Sequence, residues 1–437
     1  MWAELGQSPL ARVLPDLVAL ADATAVPLGG GTPQEIAAAY TGGGWRADIA
    51  VLDALAGVEA GADVAAVKYA VNVLYHPWLR AAAEAFQEAV KRHPLPTPTA
   101  PDPMPKANVC TLFADGLRYD IAERVAAALE TKGHGVKRDW QFTALPGVTP
   151  TAKPAVSPVA AFLGPGAGFD TKVSTDGAKV TADVLRREMV GQGYAILGGD
   201  DTGKPTGTAW SETGHLDEYG HGQGWRLALR VAEEVRGIAE RVGALLDAGW
   251  AEVKIVTDHG WLLLPGGLPK SEFPAHLADA MKGRCARLKP TSHTDQQTVP
   301  WRWDPDVRIA VAPGIGCFVA GREYEHGGLS PQECITPVLR VRAGTSTPPT
   351  ATISDVKWRG HRCRVQVADA APGTMVDLRT KAADPATSLA TAARPVDGAG
   401  QAALVVEDDS RQGEAAQLVL LDAGGVVIAK LTTVVGE

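Results

Sequence analysis

Between residues 108 and 343, apolar runs of strand length alternate with segments that have a helical period of hydrophobicity. Val109 to Ala114 is typical of a buried strand, and a helix is predicted from Leu117 to about Glu130. Further strands are predicted before Pro146, at Tyr194 to Leu197, into Asp258 and at Val307 to Val311, with helices after Thr149 and from about Gly222 to Leu246. This alternation predicts an α/β fold, in which helices sandwich a mainly parallel sheet.

The regions on either side of this α/β region have different patterns. The length of 437 residues exceeds one compact core and predicts two or three domains. Residues 1–93 have helical spacing, with Pro77 marking a kink or break, and a proline-rich linker follows at 94–107. After a second linker at 344–350, residues 351–437 alternate polar with apolar positions and contain a hairpin turn at Asp422 to Gly425, which predicts a small Ig-like β-sandwich. The segment 261–306 is expected to cross the sheet edge, partly ordered by a short helix around Ala275 to Met281.

Composition excludes several classes of protein. The net charge of -8 argues against a broad basic surface for nucleic acid but leaves room for a local positive groove. The five cysteines are scattered and form no Cys-x-x-Cys pair, so neither a disulfide framework nor a thiolate zinc site is expected. No apolar stretch is long enough for a membrane span, and residues 1–30 lack a secretion signal. A cytoplasmic protein without membrane association is expected.

A carboxylate and an imidazole, both common metal ligands, are adjacent where the predicted strand at Lys254 to Thr257 ends. The strand is followed at once by Asp258-His259-Gly260. Ligands of open α/β sheets bind at the carboxyl ends of strands, so this position suits a metal site. The same three residues also fit an ordinary turn. Asp115 has the equivalent position, because it follows the strand Val109 to Ala114.

Three further stretches contain candidate site residues. Asp217 and His221 are four residues apart, which in a helical turn places both on one face, although the surrounding glycines also fit a surface loop. Thr149 precedes a proline at a predicted helix start, where its hydroxyl either caps the helix or faces a phosphate, and Lys153 lies one turn later. His326 precedes two glycines that would let the backbone approach a metal. The following Ser330 and Glu333 form a predicted capping box.

The order of these motifs resembles the alkaline phosphatase superfamily. An Asp, a Thr-Pro, an Asp-x-x-x-His, an Asp-His-Gly and a late His-Gly-Gly follow one another as in its nucleotide pyrophosphatase/phosphodiesterase branch. More closely, Asp115-Gly116-Leu117-Arg118-Tyr119 and the segment Tyr324 to Glu333 resemble PglZ proteins of the BREX and phage growth limitation defence systems. The resemblance covers about residues 108 to 342.

The resemblance implies a two-metal site and a nucleophile. One ion would be held by Asp217, His221 and His326, and the other by Asp115, Asp258 and His259 with the Thr149 oxygen. Zinc is the expected metal, with manganese as the alternative. Thr149 would form a phospho-threonine intermediate, and Arg118 or Lys153 would hold the phosphate oxygens. No Asn or second Arg for the phosphate is identifiable in the sequence.

The predicted function is therefore phosphoester hydrolysis, by a phosphodiesterase or phosphatase. The resemblance makes nucleic acid or nucleotides the expected substrates and other defence-system proteins the expected partners. A metal-stabilised scaffold that assembles those partners without turnover is the alternative. A phosphomutase or sulfatase of the same superfamily would share the metals, but the sulfatase motif Cys-x-Pro-x-Arg is absent.

Overall fold

The computed structural model describes residues 9–59, 61–96, 108–344, 351–370, 373–382, 384–397, 399–422, 425 and 427–436. The chain divides into two compact units, Met1–Glu130 with Gly135–Ala343 and Thr131–His134 with Gly344–Glu437. Most of the two predicted linkers, and Ala423 and Gly424 of the predicted hairpin turn, lie outside the described residues.

Helices fill the described part of the chain before the sheet. They are α1 (Pro9–Thr24), α2 (Pro33–Ala39), α3 (Trp45–Ala56) and α4 (Gly61–Arg92), with a π-helical turn at Tyr40–Gly44. Pro77 lies inside α4, so the helix continues through the break that the sequence predicts. Buried apolar residues on both sides of Pro77, among them Val71 and Phe86, belong to the same core, and this packing holds the two halves in one helix.

The rest of the first unit alternates strands with helices. Its elements are β1 (Val109–Ala114), α5 (Tyr119–Thr131), β2 (Gly135–Phe142), α6 (Thr149–Val156), β3 (Leu163–Pro165), β4 (Thr171–Val173), α7 (Ala182–Gly191), β5 (Tyr194–Leu197), β6 (Thr208–Thr213), α8 (Leu216–Gln223), α9 (Val231–Asp247), β7 (Glu252–Val256), β8 (Leu262–Leu263), β9 (Ala278–Met281), β10 (Cys285–Leu288), β11 (Thr298–Trp301), β12 (Asp304–Val311), β13 (Tyr324–Glu325), α10 (Pro331–Cys334) and β14 (Ile335–Arg342).

A six-stranded sheet forms the centre of this unit. Its strand order is β2-β14-β7-β1-β6-β5. The neighbours β5, β6, β1 and β7 run parallel, whereas β14 is antiparallel to both β7 and β2. The predicted α/β class with a mainly parallel sheet is thus confirmed. Strands β6 and β14 were not predicted; β14 is buried along most of its length and has no alternation to mark it as a strand.

The segment after β8 builds a second sheet. Its antiparallel order is β11-β12-β10-β9, so the strand predicted at Val307 to Val311 belongs here and not to the central sheet. The helix predicted around Ala275 to Met281 is also wrong: a single 3-10 turn at Ala275–Leu277 leads into β9. Pairing of β9 with β10 supplies the backbone hydrogen bonds that a helix would have made internally. The helix predicted from about Gly222 to Leu246 is divided, because a 3-10 segment at Gly224–Arg230 separates α8 from α9.

The second unit consists of two facing sheets. Its strands are β15 (Thr352–Arg359), β16 (Arg362–Ala368), β17 (Met375–Arg379), β18 (Arg394–Pro395), β19 (Gln401–Val405), β20 (Ala415–Leu421) and β21 (Val427–Val434). They pair in the orders β15-β16-β19 and β18-β17-β20-β21. Alternate residues of both sheets, such as Val365 and Leu418, form one buried cluster, as a β-sandwich requires. No helix in the described ranges of the chain is long and apolar enough to cross a membrane.

Candidate metal centre

Three adjacent parallel strands bring predicted ligands to one edge of the central sheet. Asp115 follows β1, Asp258 and His259 follow β7, and Asp217 lies in α8 just after β6. Strand β1 lies between β6 and β7, and the three run in the same direction. Residues after the carboxyl ends of these strands therefore meet at the same edge.

The first group of possible ligands consists of Asp115, Asp258 and His259. One ligand atom of each lies within 4.8 Å of the others. His259 Nε2 is 3.5 Å from Asp258 Oδ2. The other ring nitrogen, Nδ1, is 3.1 Å from the Gly260 carbonyl oxygen. Because a carbonyl can only accept, Nδ1 carries the proton, and Nε2 of the neutral ring keeps its lone pair for a cation.

The second group contains Asp217, His326 and His221. Ligand atoms of Asp217 and His326 also lie within 4.8 Å of one in His259, which thus belongs to both groups. His326 Nδ1 donates to the Gly147 carbonyl at 2.7 Å, and its Nε2 is 3.1 Å from His221 Nε2. Two imidazole nitrogens bound to one tetrahedral zinc ion would be about 3.3 Å apart. The separation in this structure therefore suits a shared ion.

Two buried carboxylate oxygens without hydrogen-bond partners indicate that a cation fits at this centre. Asp115 Oδ1 and Asp258 Oδ2 are buried and have no hydrogen-bond partner among the described residues. A buried polar atom without a partner costs about 1–3 kcal/mol, and more when it is charged. A bound divalent cation would remove that cost. Carboxylate and imidazole ligands without a thiolate suit zinc or manganese.

The pKa values of the possible ligands are shifted by burial and by the charges of their neighbours at this centre. Burial and the neighbouring Asp258 raise the pKa of Asp115 to about 7. Burial and the adjacent His259 lower the pKa of His326 to about 3, so His326 is a neutral ring at physiological pH. Burial lowers the pKa of His259, but the carboxylates of Asp258, Asp217 and Asp115 outweigh it and raise the pKa overall. The centre therefore combines excess negative charge with a deprotonated histidine, as metal binding requires.

Thr149 faces this centre and does not cap its helix. It is the first residue of α6; Val148 is the N-cap, and no side chain caps the helix end. Its Oγ1 lies 3.4 Å from His259 Nε2. The Thr149 hydroxyl therefore points toward His259, and its role toward a phosphate stays a prediction.

Arg118 does not have the position that a phosphate ligand needs. Its side chain is only 1% exposed and makes a bidentate ion pair with Asp120, with Nε–Oδ1 at 2.6 Å and Nη2–Oδ2 at 2.7 Å. The guanidinium also stacks on Trp261, 3.7 Å from the ring centroid. The expected contact of Arg118 with substrate is contradicted because the ion pair and the ring enclose the cation within the core.

Lys153 lies at a cavity beside Asp115. The cavity has a volume of about 620 Å³, and both residues line it. The Lys153 ammonium is 2.9 Å from Glu212 Oε2 and is 15% exposed, so it is neither free in solvent nor fully enclosed. Its charge acts to lower the pKa of Asp115, although burial and Asp258 dominate.

Several residues that support the centre were missed by the sequence analysis. The Tyr324 hydroxyl donates to Asp217 Oδ1 at 2.8 Å, and the Gly147 carbonyl orients His326. The capping hydroxyl of Ser330 does bond to the Glu333 amide at 3.2 Å, but the Glu333 carboxylate pairs with buried Arg284 at 2.7 Å. A single sequence does not show that a tyrosine two residues before a metal ligand supports the site. It also does not show which backbone carbonyl oxygen orients a ligand.

The paired glycines after His326 are needed for packing. Gly327 has φ of +98°, and an added Cβ would lie 2.7 Å from the Val148 side chain. At Gly328 an added Cβ would lie 2.5 Å from the Arg284 guanidinium. A side chain at either position would displace the segment that carries His326.

Comparison with known proteins yields structural matches but no sequence matches. No family model and no curated protein sequence matches the chain. Among solved structures, the chain is similar to murine ectonucleotide pyrophosphatase/phosphodiesterase 5 at 9% identity, covering 54% of this chain and 88% of that one. The TM-score is 0.36 for an inactive variant of that protein in complex with AMP and 0.33 for the protein alone.

Proposed function

We propose that this chain is a metal-dependent phosphoester hydrolase in which Thr149 is the nucleophile. The observation that carries the proposal is the convergence of Thr149 Oγ1, at 3.4 Å, on a buried His259 whose neighbours Asp115 and Asp258 each have an unpartnered carboxylate oxygen. The order of the sequence motifs, which resembles the alkaline phosphatase superfamily, supports the same reaction.

The residues present fit two divalent ions. Asp115, Asp258 and His259 would hold one, and Asp217, His221 and His326 the other, with zinc as the proposed metal and manganese as the alternative. When bound, such ions polarise the phosphoryl oxygens and lower the pKa of a nearby hydroxyl.

The chain's own residues then account for the bond changes. The Thr149 oxygen attacks phosphorus in line, forming a phospho-threonine ester as the bond to the leaving oxygen breaks. Water next attacks the same phosphorus, which breaks the bond to Thr149, restores its hydroxyl and releases the phosphate product. Thr149 is the first residue of α6, so a phosphate attacked by its hydroxyl would lie near the positive end of the helix. Lys153, at the adjoining cavity, supplies a further positive charge.

Replacement of the nucleophile tests the proposal. With zinc or manganese present, we expect Thr149→Ala to lower hydrolysis of bis(p-nitrophenyl) phosphate by at least about a thousandfold, because no other hydroxyl takes over the attack. Thr149→Ser, which keeps the hydroxyl, should retain measurable turnover. Thr181→Ala is the control, since Thr181 caps α7 and its loss leaves the centre intact.

Activity that survives Thr149→Ala would refute the nucleophilic role. Addition of a chelator should abolish turnover in the wild type. A metal-loaded wild type that binds partner proteins but hydrolyses no phosphoester would favour the scaffold function instead.

The motif resemblance to PglZ proteins further suggests a role in anti-phage defence, with other proteins of that system as partners and nucleic acid or nucleotides as substrates. This part of the proposal depends on the two motifs alone. We expect the Thr149→Ala variant to lose protection in a phage challenge of cells that carry the complete system. Equal protection by wild type and variant would separate any defence role from hydrolysis.

A further inference from the structure

The outer face of one sheet in the β-sandwich carries a cluster of positive charges. Along β15 and β16, residues such as Val356 and Val365 pack on the core of the sandwich, so the residues between them point outward. Four of these outward residues are exposed cations, and together they form the basic face: Lys357, Arg359, Arg362 and Arg364. In a chain whose net charge is -8, this concentration of positive charge is local.

The four cations oppose one another directly across the two strands. Lys357 is paired with Arg364, and Arg359 is paired with Arg362. Directly opposite side chains of an antiparallel pair have Cβ atoms about 4.5–5.5 Å apart, and like charges at such positions destabilise the sheet. An anion held between these side chains would remove the repulsion.

Few carboxylates neutralise the basic face. Lys357 pairs with Asp355 of its own strand at 2.6 Å. The three arginines make no ion pair with any residue that the structure describes. On their other side, β19 presents Ala403 opposite Arg364 and Val405 opposite Arg362, and neither carries a charge. The guanidinium groups are therefore available to a ligand from solvent.

A groove of about 680 Å³ adjoins the basic face. Lys357 and Arg364 line it, and Arg394 of β18 adds a further cation. Its carboxylates are those of Asp355 and Asp397. The groove and the basic face together thus hold five cations against two carboxylates, and this surplus favours a polyanion.

Acidic residues flank only one end of the basic face. Beyond β19 the chain carries three carboxylates, on Glu407, Asp408 and Asp409. Asp409 lies 3.4 Å from His361, in the turn between β15 and β16, and Asp408 pairs with Arg411. The positive surface therefore extends away from this turn, toward Arg394.

The described residues of the basic face include no exposed large apolar side chain. Trp358 points into the sandwich, where its Nε1 donates to Thr433 Oγ1 at 2.9 Å. The exposed large apolar residues in the described part of this unit, Ile428 and Leu431, belong to β21 of the other sheet. Recognition by the basic face therefore depends on charge and not on stacking or apolar burial.

We propose that the basic face binds the phosphate backbone of duplex nucleic acid without reading its sequence. Three of its four cations are arginines, whose guanidinium groups bind phosphate through two parallel hydrogen bonds. The regular spacing of residues along paired strands suits a polymer whose charges are regularly spaced. A single strand would need exposed aromatic residues for stacking, and a protein interface would need apolar residues at its centre. The inference goes beyond the proposed function, because this binding requires no metal.

Fluorescence anisotropy of the full chain with a labelled DNA duplex of about 20 base pairs tests the inference. A chelator is present, so that metal-dependent hydrolysis does not remove the probe. We expect the logarithm of the association constant to fall with the logarithm of the NaCl concentration, between about 50 and 200 mM, with a slope of about -4. Each neutralised phosphate contributes about -0.9 to that slope, and four or five cations are available.

Paired substitutions assign the binding to the basic face. Arg362→Gln combined with Arg364→Gln should weaken binding by about tenfold or more at about 50 mM NaCl and make the slope shallower by about two, because two phosphate contacts are lost. Arg362→Lys combined with Arg364→Lys keeps both charges and should retain the slope. The matched control is Lys381→Gln combined with Lys430→Gln, which removes two exposed cations of the same unit outside the basic face. An unchanged midpoint of urea unfolding in the glutamine pair shows that its loss of binding does not come from unfolding.

The outcomes separate this inference from the proposed function. No binding by the wild type at about 50 mM NaCl, an unchanged slope in the glutamine pair, or an equal loss in the control pair overturns the inference. Tighter binding of the single strand, or equal competition by polyglutamate, overturns the choice of duplex nucleic acid as the partner. Failure of the wild type to hydrolyse bis(p-nitrophenyl) phosphate counts against the proposed function alone, since binding is measured without metal.

Discussion

His259 belongs to both groups of possible metal ligands. Its ring stacks on that of His326 with centroids 3.7 Å apart, and it is fully buried. The pKa of His259 is raised by three carboxylates while that of His326 is lowered to about 3, so a proton on the pair resides on His259. Binding of a cation at this centre therefore competes with a single proton.

The two groups of ligands predict that each ion can be lost without the other. We expect Asp115→Asn and His221→Ala each to reduce the bound metal from two ions to about one, because each variant removes a ligand from only one group. His259→Ala should likewise keep about one ion, because His259 Nε2 is a ligand of one ion only. Elemental analysis of protein dialysed against a fixed zinc concentration measures the stoichiometry.

The control for this prediction is His293→Ala, since His293 is exposed and belongs to neither group. It should retain the wild-type stoichiometry. Two ions in both Asp115→Asn and His221→Ala would contradict the ligand assignment.

At the scale of elements, the single turn α10 connects two loops that carry three of the six proposed ligand side chains, Asp258, His259 and His326. The Glu333 carbonyl accepts from the Gly260 amide at 3.1 Å, next to Asp258 and His259. The Glu333 carboxylate accepts from the Gly328 amide at 2.8 Å, next to His326, and pairs with Arg284. An added Cβ at Gly260 would lie 2.0 Å from the Gln332 carbonyl oxygen, so only glycine permits this approach.

Glu333→Gln should therefore destabilise the fold and weaken metal binding together. The Arg284–Glu333 pair is almost fully buried, with side chains 0% and 1% exposed. Removing one buried charge leaves the other unpaired and costs about 3–5 kcal/mol. Urea unfolding of the metal-free protein measures the free energy, and zinc titration measures the affinity.

The matched control is Glu130→Gln, which removes an ion pair with Arg138 whose side chains are 33% and 44% exposed. It should change the free energy of unfolding by less than about 1 kcal/mol. Similar effects of the two variants would show that the Glu333 carboxylate does not hold the loops.

At the scale of the first unit, a buried polar cluster joins the helical region to the α/β region. The Asp48 carboxylate in α3 accepts from Tyr40 at 2.7 Å and from Tyr75, and Arg118 Nη2 donates to the Asp48 carbonyl at 3.4 Å. Gln332 of α10 contacts the same carboxylate at 3.4 Å. The helical region is part of the unit that contains the candidate metal centre, and Arg118 serves this connection.

The titration of Asp48 makes the stability that this polar cluster contributes depend on pH. Burial raises its pKa from 3.8 to about 6, against the lowering effects of Arg118, Tyr75 and Tyr40, while Asp120 adds to the increase. Between pH 4 and 6 the folded protein therefore holds a proton that the unfolded chain has lost. The stability contributed by Asp48 is full below pH about 4 and is lost as the pH rises through about 6, by about 3 kcal/mol.

Comparison with Asp48→Asn isolates this titration. The free energy of unfolding of the wild type minus that of the variant should fall as the pH rises from about 4 to about 7, since the substituted amide does not titrate. Urea unfolding in the presence of a chelator measures it without contributions from metal binding. A difference that stays constant over this range would exclude Asp48 as the titrating group.

Much of the architecture could be predicted because it has a periodic signal. Strand β5 was predicted with its observed bounds, β1 likewise, and the sandwich followed from its alternation. Prediction failed where pairing between distant segments decided the outcome. Residues 278–281 became an edge strand because β10 offered a partner, and α4 passed through Pro77 because both of its halves pack on one core.

The amino-acid sequence by itself determined the chemistry available: carboxylate and imidazole ligands at strand ends, a threonine at a helix start, and no thiolate pair. Only the tertiary structure decided which cations face the centre, because side-chain burial depends on contacts across the fold. It placed Arg118 in an ion pair within the core, and it placed Lys153 and Arg241 at the cavity. Arg118, with a side chain that is 1% exposed, and Arg241, which lines a cavity, are both simply arginine in the sequence. Only the surrounding packing distinguishes their roles.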